Sequence, residues 1–273
     1  MATLDRDDIQ ISYTDHGGSG RPVVLVHGWP LSGESWSDTV PALLDAGHRV
    51  VTYDRRGFGA SGMTDVGGYD YDVLTSDLAA LLDELDLHEV TLVGFSMGGG
   101  EVVRYVGNHG ESRLRGIVLI GAIPPWLIKS DDNPGGGLDM ATARGMQDAL
   151  REDREGFLDD FLTNFFSADG ELMVTEEQRQ RALGLAAQAD LDAAVACIVL
   201  WTSNFSDDVA RITVPTLVIH GDSDAIVPFE VSGQRVHEQV TGSELVLLEH
   251  APHGVTVSHT DAVNRALLEF LGD

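Results

Sequence analysis

The sequence predicts an α/β protein: a mostly parallel β-sheet flanked by helices, with a helical cap inserted late in the chain. Three observations lead there. Short, nearly continuous apolar runs rich in β-branched residues recur at 23–27, 49–53, 90–94, 116–120, 216–220 and 244–248, as expected of strands buried on both faces. Stretches with apolar residues at helical spacing separate several of these runs. The alternation stops after about Ala122 and resumes at Val214, with Pro124-Pro125, the loop 131–137 and several helical stretches between. We expect a core formed by residues 1–124 and 212–273 and a helical cap at 125–211.

The elements follow in order. Ile9, Ile11 and Tyr13 alternate with polar residues, so a half-buried strand opens the sheet and the turn Gly17-Gly-Ser-Gly20 follows it. Asp72 can cap a helix running through Leu74, Leu78, Leu81, Leu82 and Leu85, and the segments 97–109, 229–240 and 261–271 carry similar spacing. The loop 131–137, Asp-Asp-Asn-Pro-Gly-Gly-Gly, is the best candidate for a mobile segment, because Gly and Asn broaden the accessible backbone conformations.

Composition narrows the class of function. The chain has 273 residues, 43% of them hydrophobic, and no apolar run near the length of a membrane span, which takes roughly 18 residues or more. Its start is acidic, where a signal peptide would be basic and then apolar. A soluble cytoplasmic protein is expected, with no membrane partner. The net charge of −27 repels nucleic-acid phosphates, so no nucleic-acid partner is expected either. Cys197 is the only cysteine; it excludes an intrachain disulfide or a cysteine metal cluster and reads as core. No metal or other cofactor is expected.

Chemistry concentrates in four loops. Gly94-Phe-Ser-Met-Gly98 fits G-x-S-x-G between a buried run and a helix, the context of a nucleophile elbow in which glycines stand where a Cβ would clash. Ser96 is the candidate nucleophile, and the Met97 backbone N–H at the helix start is a candidate oxyanion donor. A serine needs a base, and the base needs an acid to hold its tautomer; in this fold both lie downstream. The run 216–220 ends in Gly-Asp-Ser-Asp, offering Asp222 and Asp224 as acids, with Asp222 also suited to bracing the turn. After the next run comes Glu249-His-Ala-Pro-His-Gly254, in which His253 is the better candidate for the base because Pro252 and Gly254 shape a loop tip, and His250 is its competitor. His259 suits the first turn of the last helix, and His16, His48, His88, His109 and His237 read as solvated.

His27-Gly-Trp-Pro30 supplies the second oxyanion donor, the Trp29 N–H, or else is a strand-ending turn with a surface tryptophan. Pro30 is a candidate substrate-site residue, because it restricts how the Trp29 carbonyl is aimed. A carbonyl aimed into the site would accept a hydrogen bond from peroxide and favour peroxide over water; otherwise Pro30 stiffens the loop. Asp54-Arg-Arg-Gly-Phe-Gly-Ala-Ser61 lacks the Lys-Ser/Thr ending of a phosphate loop and reads as structural.

Taken with Tyr53-Asp-Arg-Arg-Gly-Phe-Gly-Ala-Ser61, Gly94-Phe-Ser-Met-Gly-Gly-Gly-Glu-Val102, Ala122-Ile-Pro-Pro125, Val214-Pro-Thr-Leu-Val-Ile-His-Gly-Asp-Ser-Asp224 and Ala251-Pro-His-Gly254, the chain resembles the cofactor-free bacterial haloperoxidases, perhydrolases and aryl esterases of the α/β-hydrolase superfamily almost end to end. The resemblance implies Ser96, Asp224 and His253 as the triad and Trp29 and Met97 as oxyanion donors. It places Ile123, Phe161, Phe165, Ile226 and Val227 around the acyl and alcohol groups. It implies small-molecule partners: an ester, a carboxylic acid or peroxide. A homo-oligomer is compatible with it. The activity implied is ester hydrolysis with peracid formation. A lactonase or γ-lactamase could use the same triad, and the fold also serves as a small-molecule receptor with a vestigial triad.

Lys129 is the only lysine. Acid excess with lysine depletion suits a surface built for high salt, or is simply a solvated acidic face. On the first reading, the melting temperature measured between low salt and molar NaCl rises substantially as screening relieves repulsion among carboxylates; on the second it is indifferent to salt.

Overall fold

The computed structural model describes residues 1–7 and 9–272. Eight strands form one sheet in the order β1-β2-β4-β3-β5-β6-β9-β10. They are β1 (Ala2–Arg6), β2 (Ile9–Gly17), β3 (Pro22–Val26), β4 (Arg49–Tyr53), β5 (Val90–Phe95), β6 (Leu114–Ile120), β9 (Thr216–Gly221) and β10 (Glu244–Leu248), while β7 (Ser167–Ala168) and β8 (Glu171–Leu172) pair apart from them. β1 and β2 run antiparallel and β2 runs antiparallel to β4; every other ladder in the large sheet is parallel. This is the α/β-hydrolase arrangement, a mostly parallel sheet flanked by helices.

The central strands are apolar on both faces because helices cover both. β5 is buried at every position. α2 (Tyr71–Glu84) packs with α3 (Met97–His109), and α1 (Val40–Asp45) with α11 (Thr260–Leu271). β10 departs from the expected doubly buried pattern: as the edge strand it is half exposed, with Leu247 turned outward. β1 was not legible in the sequence, because only Leu4 of its five residues is buried and no alternation shows. β2 runs on through Gly17, where a turn is expected to begin.

Helix boundaries depend on which side chain reaches a free N–H. The cap of α2 is Asp70 rather than Asp72: Asp70 is extended and its carboxylate accepts from the Val73 N–H. Asp72 falls inside the first turn and pairs with Arg104 of α3. The expected helix at 229–240 breaks into a 3-10 turn, Phe229–Val231, and α9 (Gly233–Gln239), with Ser232 between them out of helical conformation.

Between β6 and β9 the chain leaves the sheet and forms α4 (Met140–Glu152), α5 (Arg154–Phe165), the β7–β8 hairpin, α6 (Glu176–Ala186), α7 (Leu191–Leu200) and α8 (Ser206–Val209). α10 (Val255–Ser258) follows β10. The loop 131–137 is tied down rather than free. Asn133 is buried and donates to the carbonyls of Trp126 and Ile128, while Arg235 donates to Asn133 Oδ1 and the Gly135 carbonyl. His48 is likewise buried rather than solvated, with Nδ1 3.3 Å from the Arg21 carbonyl. Cys197 lies in the core, where burial pushes its thiol up to about 12. Among the described residues no single helix is long and apolar enough to cross a membrane.

Where β5 turns into α3, three backbone segments converge. A Cβ on Gly98 would sit 2.4 Å from the Val26 carbonyl oxygen at the end of β3, and one on Gly94 would sit 2.6 Å from the Gly98 carbonyl oxygen. Neither obstacle is a flexible side chain, so Gly98→Ala should lower unfolding free energy by about 2 kcal/mol or more, measured by urea denaturation.

Candidate active site

Ser96 stands on that turn with φ +55°, ψ −119°, a backbone conformation that L side chains rarely adopt. Its N–H donates to the Ile120 carbonyl of β6 and its carbonyl accepts from Gly99, so strand and helix both hold it. Met97 opens α3, which places its N–H among the first-turn donors that a helix leaves unpaired. The loop after β3 passes directly against the serine: a Cβ on Gly28 would be 3.1 Å from Ser96 Cβ.

Two later loops close on the same point. His253 Nε2 is 2.8 Å from Ser96 Oγ, and its Nδ1 is 2.7 Å from Asp224 Oδ2. The imidazole is 1% exposed, flanked by the rings of Phe95 and Phe165. Asp224 Oδ1 accepts the N–H groups of Ile226 and Val227 at 2.9 and 2.8 Å. Burial alone would push the Asp224 carboxyl up, but His253 and His220 beside it outweigh that and hold it well below the usual carboxylate range. The competing residues stand elsewhere. Asp222 is exposed and accepts from Ser223 and the Ala251 N–H, bracing the turn; His250 is exposed and pairs with Asp169.

This geometry sits on a chain that matches the alpha/beta hydrolase fold family over residues 21–260. The chain belongs to that family. It is 44% identical over 266 residues to a putative non-heme chloroperoxidase of Synechocystis sp., covering 96% of this chain and 95% of that protein. It is 34% identical over 275 residues to a bifunctional esterase/perhydrolase of Acinetobacter calcoaceticus, with 97% of each covered. The crystal structure of a bromoperoxidase from Bacillus anthracis superposes with a TM-score of 0.94 at 49% identity, covering 97% of this chain and 96% of that one.

In this α/β-hydrolase a cavity of about 280 Å³ opens at Ser96. Four expected pocket residues line it, Ile123, Phe161, Ile226 and Val227, together with Trp29. Two expected ones do not. Phe165 is spent on packing against His253, Phe95 and Phe166, and Pro30 is buried in the turn that the Leu31 N–H closes onto the Gly28 carbonyl. Leu127 and Trp201 line the cavity and were missed, since nothing local marks residues that the inserted segment brings over the sheet. Trp29 is no surface tryptophan: it is buried and its indole N–H donates to the Ala194 carbonyl of α7.

Beneath the site lies a buried ion pair that the sequence motifs contain but do not explain. Arg55 and Glu101 are both fully buried and in contact, and Glu101 also accepts from the Tyr53 hydroxyl at 2.7 Å. Burial pushes the Glu101 carboxyl up, opposed by Arg55. Arg55 also reaches the loop beside Ser96: its Nη2 donates to the His27 carbonyl at 2.6 Å and its backbone N–H to His27 Nε2 at 3.0 Å. His27 Nδ1 is then the protonated nitrogen and donates to the Gly28 carbonyl. Glu101 rides on α3 while Arg55 grips the 27–29 loop, so one pair joins the two segments that carry Met97 and Trp29. A charged residue one turn into an apolar helix was the signal. Glu101→Leu leaves Arg55 charged, buried and unpaired, which should lower unfolding free energy by about 3–5 kcal/mol; adding Arg55→Met should recover part of that loss, both read by denaturant titration.

Proposed function

We propose that this protein is a serine hydrolase that cleaves small carboxylic esters through an acyl-Ser96 intermediate and delivers the acyl group to water or to hydrogen peroxide. The observation that carries the reading is the unbroken chain Asp224–His253–Ser96, with both links at hydrogen-bond length. Asp224 accepts from His253 Nδ1–H and so leaves the Nε2 lone pair facing Ser96 Oγ. His253 takes the hydroxyl proton as Oγ adds to the ester carbonyl. The negative charge that develops on the carbonyl oxygen is met by the Trp29 and Met97 N–H groups and by the positive end of α3. His253 then returns the proton to the departing alcohol. Water or peroxide attacks the acyl group, loses its proton to His253, and leaves as carboxylic acid or peracid with Ser96 regenerated.

The cavity supports neutral apolar substrates. None of its lining residues is charged, so a charged acyl or alcohol group would lose hydration without gaining a partner. Peroxide as the second acceptor is supported by the relatives named for halide oxidation and perhydrolysis. From acetate and peroxide the acyl-serine yields peracetic acid, which oxidises halide in solution while returning to acetate, so the protein itself needs no redox group.

Ser96→Ala and His253→Ala should each lower kcat for p-nitrophenyl acetate by about four orders of magnitude. Both should abolish peroxide- and acetate-dependent bromide oxidation. Asp224→Asn should cost far more than Asp222→Asn, and the reverse order would overturn the acid assignment. The Asp224 carboxylate is held well below the usual range and so stays ionised in acid, while His253 must keep its Nε2 lone pair free to take the Ser96 proton. The ratio kcat/KM should therefore fall on the acidic side; a flat profile would count against a histidine base.

A further inference from the structure

His220 is a buried titratable group that the mechanism above leaves unused. It is the penultimate residue of β9 and is fully buried. Its Nε2 lies 2.8 Å from the Val227 carbonyl and 3.4 Å from Asp224 Oδ2, while its Nδ1 has no partner among the described residues. Both neighbours of Nε2 are acceptors, so Nε2 must carry the proton; a bare lone pair there would face a carbonyl and a carboxylate. The ring packs at a tilt against Phe229, and Gly233 leaves room for it: a Cβ at 233 would sit 2.6 Å from Nδ1. That close approach accompanies the break in the helix expected at 229–240.

The contacts form a closed circuit. Asp224 Oδ1 accepts from the Val227 N–H, the Val227 carbonyl accepts from His220, and the same His220 N–H edge faces Asp224 Oδ2. We infer that His220 is a positioning residue for the proposed acid: its Nε2–H closes the 224–227 loop and lies against the Asp224 oxygen that His253 uses, holding the carboxylate in place and drawing off part of its charge. The inference rests on the serine-hydrolase reading. The titratable groups bearing on Asp224 are His253 and His220; Phe229 and Gly233 beside His220, and Gly121 at the end of β6, are uncharged.

Removing the N–H edge leaves more charge on Asp224, which favours the protonated form of His253. His220→Leu also releases the 224–227 loop and lets the Asp224 carboxylate leave its place against His253 Nδ1, so it should lower kcat for p-nitrophenyl acetate about ten-fold with little change in KM. It should also move the acidic limb of kcat/KM upward by roughly half a pH unit. His220→Gln, whose amide N–H reaches the Nε2 position, should restore most of the rate and return the limb. His220→Asn, too short to do so, takes the place of the leucine variant if that one does not fold. Nitrogen-15 spectra of the histidine rings in the unsubstituted protein should show His220 protonated at Nε2 and bare at Nδ1. Protonation at Nδ1, or equal rate losses in the leucine and glutamine variants with an unmoved limb, would overturn the inference. Ester hydrolysis persisting in Ser96→Ala would instead sink the hydrolase reading and leave the ring spectra unaffected.

Discussion

The constraint on which the rest depends is the crowding of backbone around Ser96. The serine occupies a strained conformation with positive φ because β5 must turn into α3 within one residue. That turn exists only because the carbonyl at the end of β3 and the first turn of α3 approach where Gly94 and Gly98 have no Cβ. The strain is local, of the order of 1–3 kcal/mol, and the surrounding parallel ladders hold it. Its consequence is chemical: the hydroxyl stands clear of the sheet, beside a helix start and within reach of loops from β3, β9 and β10.

Those loops are held by polar groups taken out of water. Arg55, Glu101, Tyr53 and His27 form a buried network that fastens the loop after β3 to α3, the helix that the serine opens. In a low-dielectric interior an unpaired member of such a network is costly, so the arrangement resists partial loosening. The inserted helices join the same construction rather than merely covering it. Trp29 is pinned to α7 through its indole N–H, and the Gly254 N–H, next to His253, donates to the Phe165 carbonyl of α5. A shift of these helices would therefore move both the loop at the proposed oxyanion site and the loop of the proposed base. Cavity shape and site geometry are coupled by direct hydrogen bonds.

Much of the sheet was legible because burial on both faces leaves a local signature: a parallel strand covered by helices is an uninterrupted run of Val, Ile and Leu, as in β5. β1 and β10 show the limit of that signal, since edge strands have less to bury. The helix cap at Asp70 depended on which side chain found a partner, and the break at Ser232 lies beside a Gly233 packed against the His220 ring, neither of which spacing reports. The loop 131–137 looked free by composition and is held because Asn133 finds carbonyls that only the folded chain brings near.

The sequence by itself determined the sheet's core and the candidates Ser96, Asp224 and His253, because elbow, acid loop and base loop each have short-range requirements for Gly, Pro and a polar side chain at a strand end. Only the tertiary structure shows how each pair divides: Asp224 and His253 join one hydrogen-bonded chain to Ser96, and Asp222 and His250 stand outside it. These pairs carry the same functional groups within three residues of each other. What separates them is burial and direction: His253 points inward to Ser96 and Asp224 to His253, whereas Asp222 and His250 are exposed, one bracing a turn and the other pairing with Asp169. The same reason governs the cavity. Which of Phe161 and Phe165, one helical turn apart, lines it and which backs His253 depends on how α5 lies over the sheet, and that is set by contacts distant in the chain.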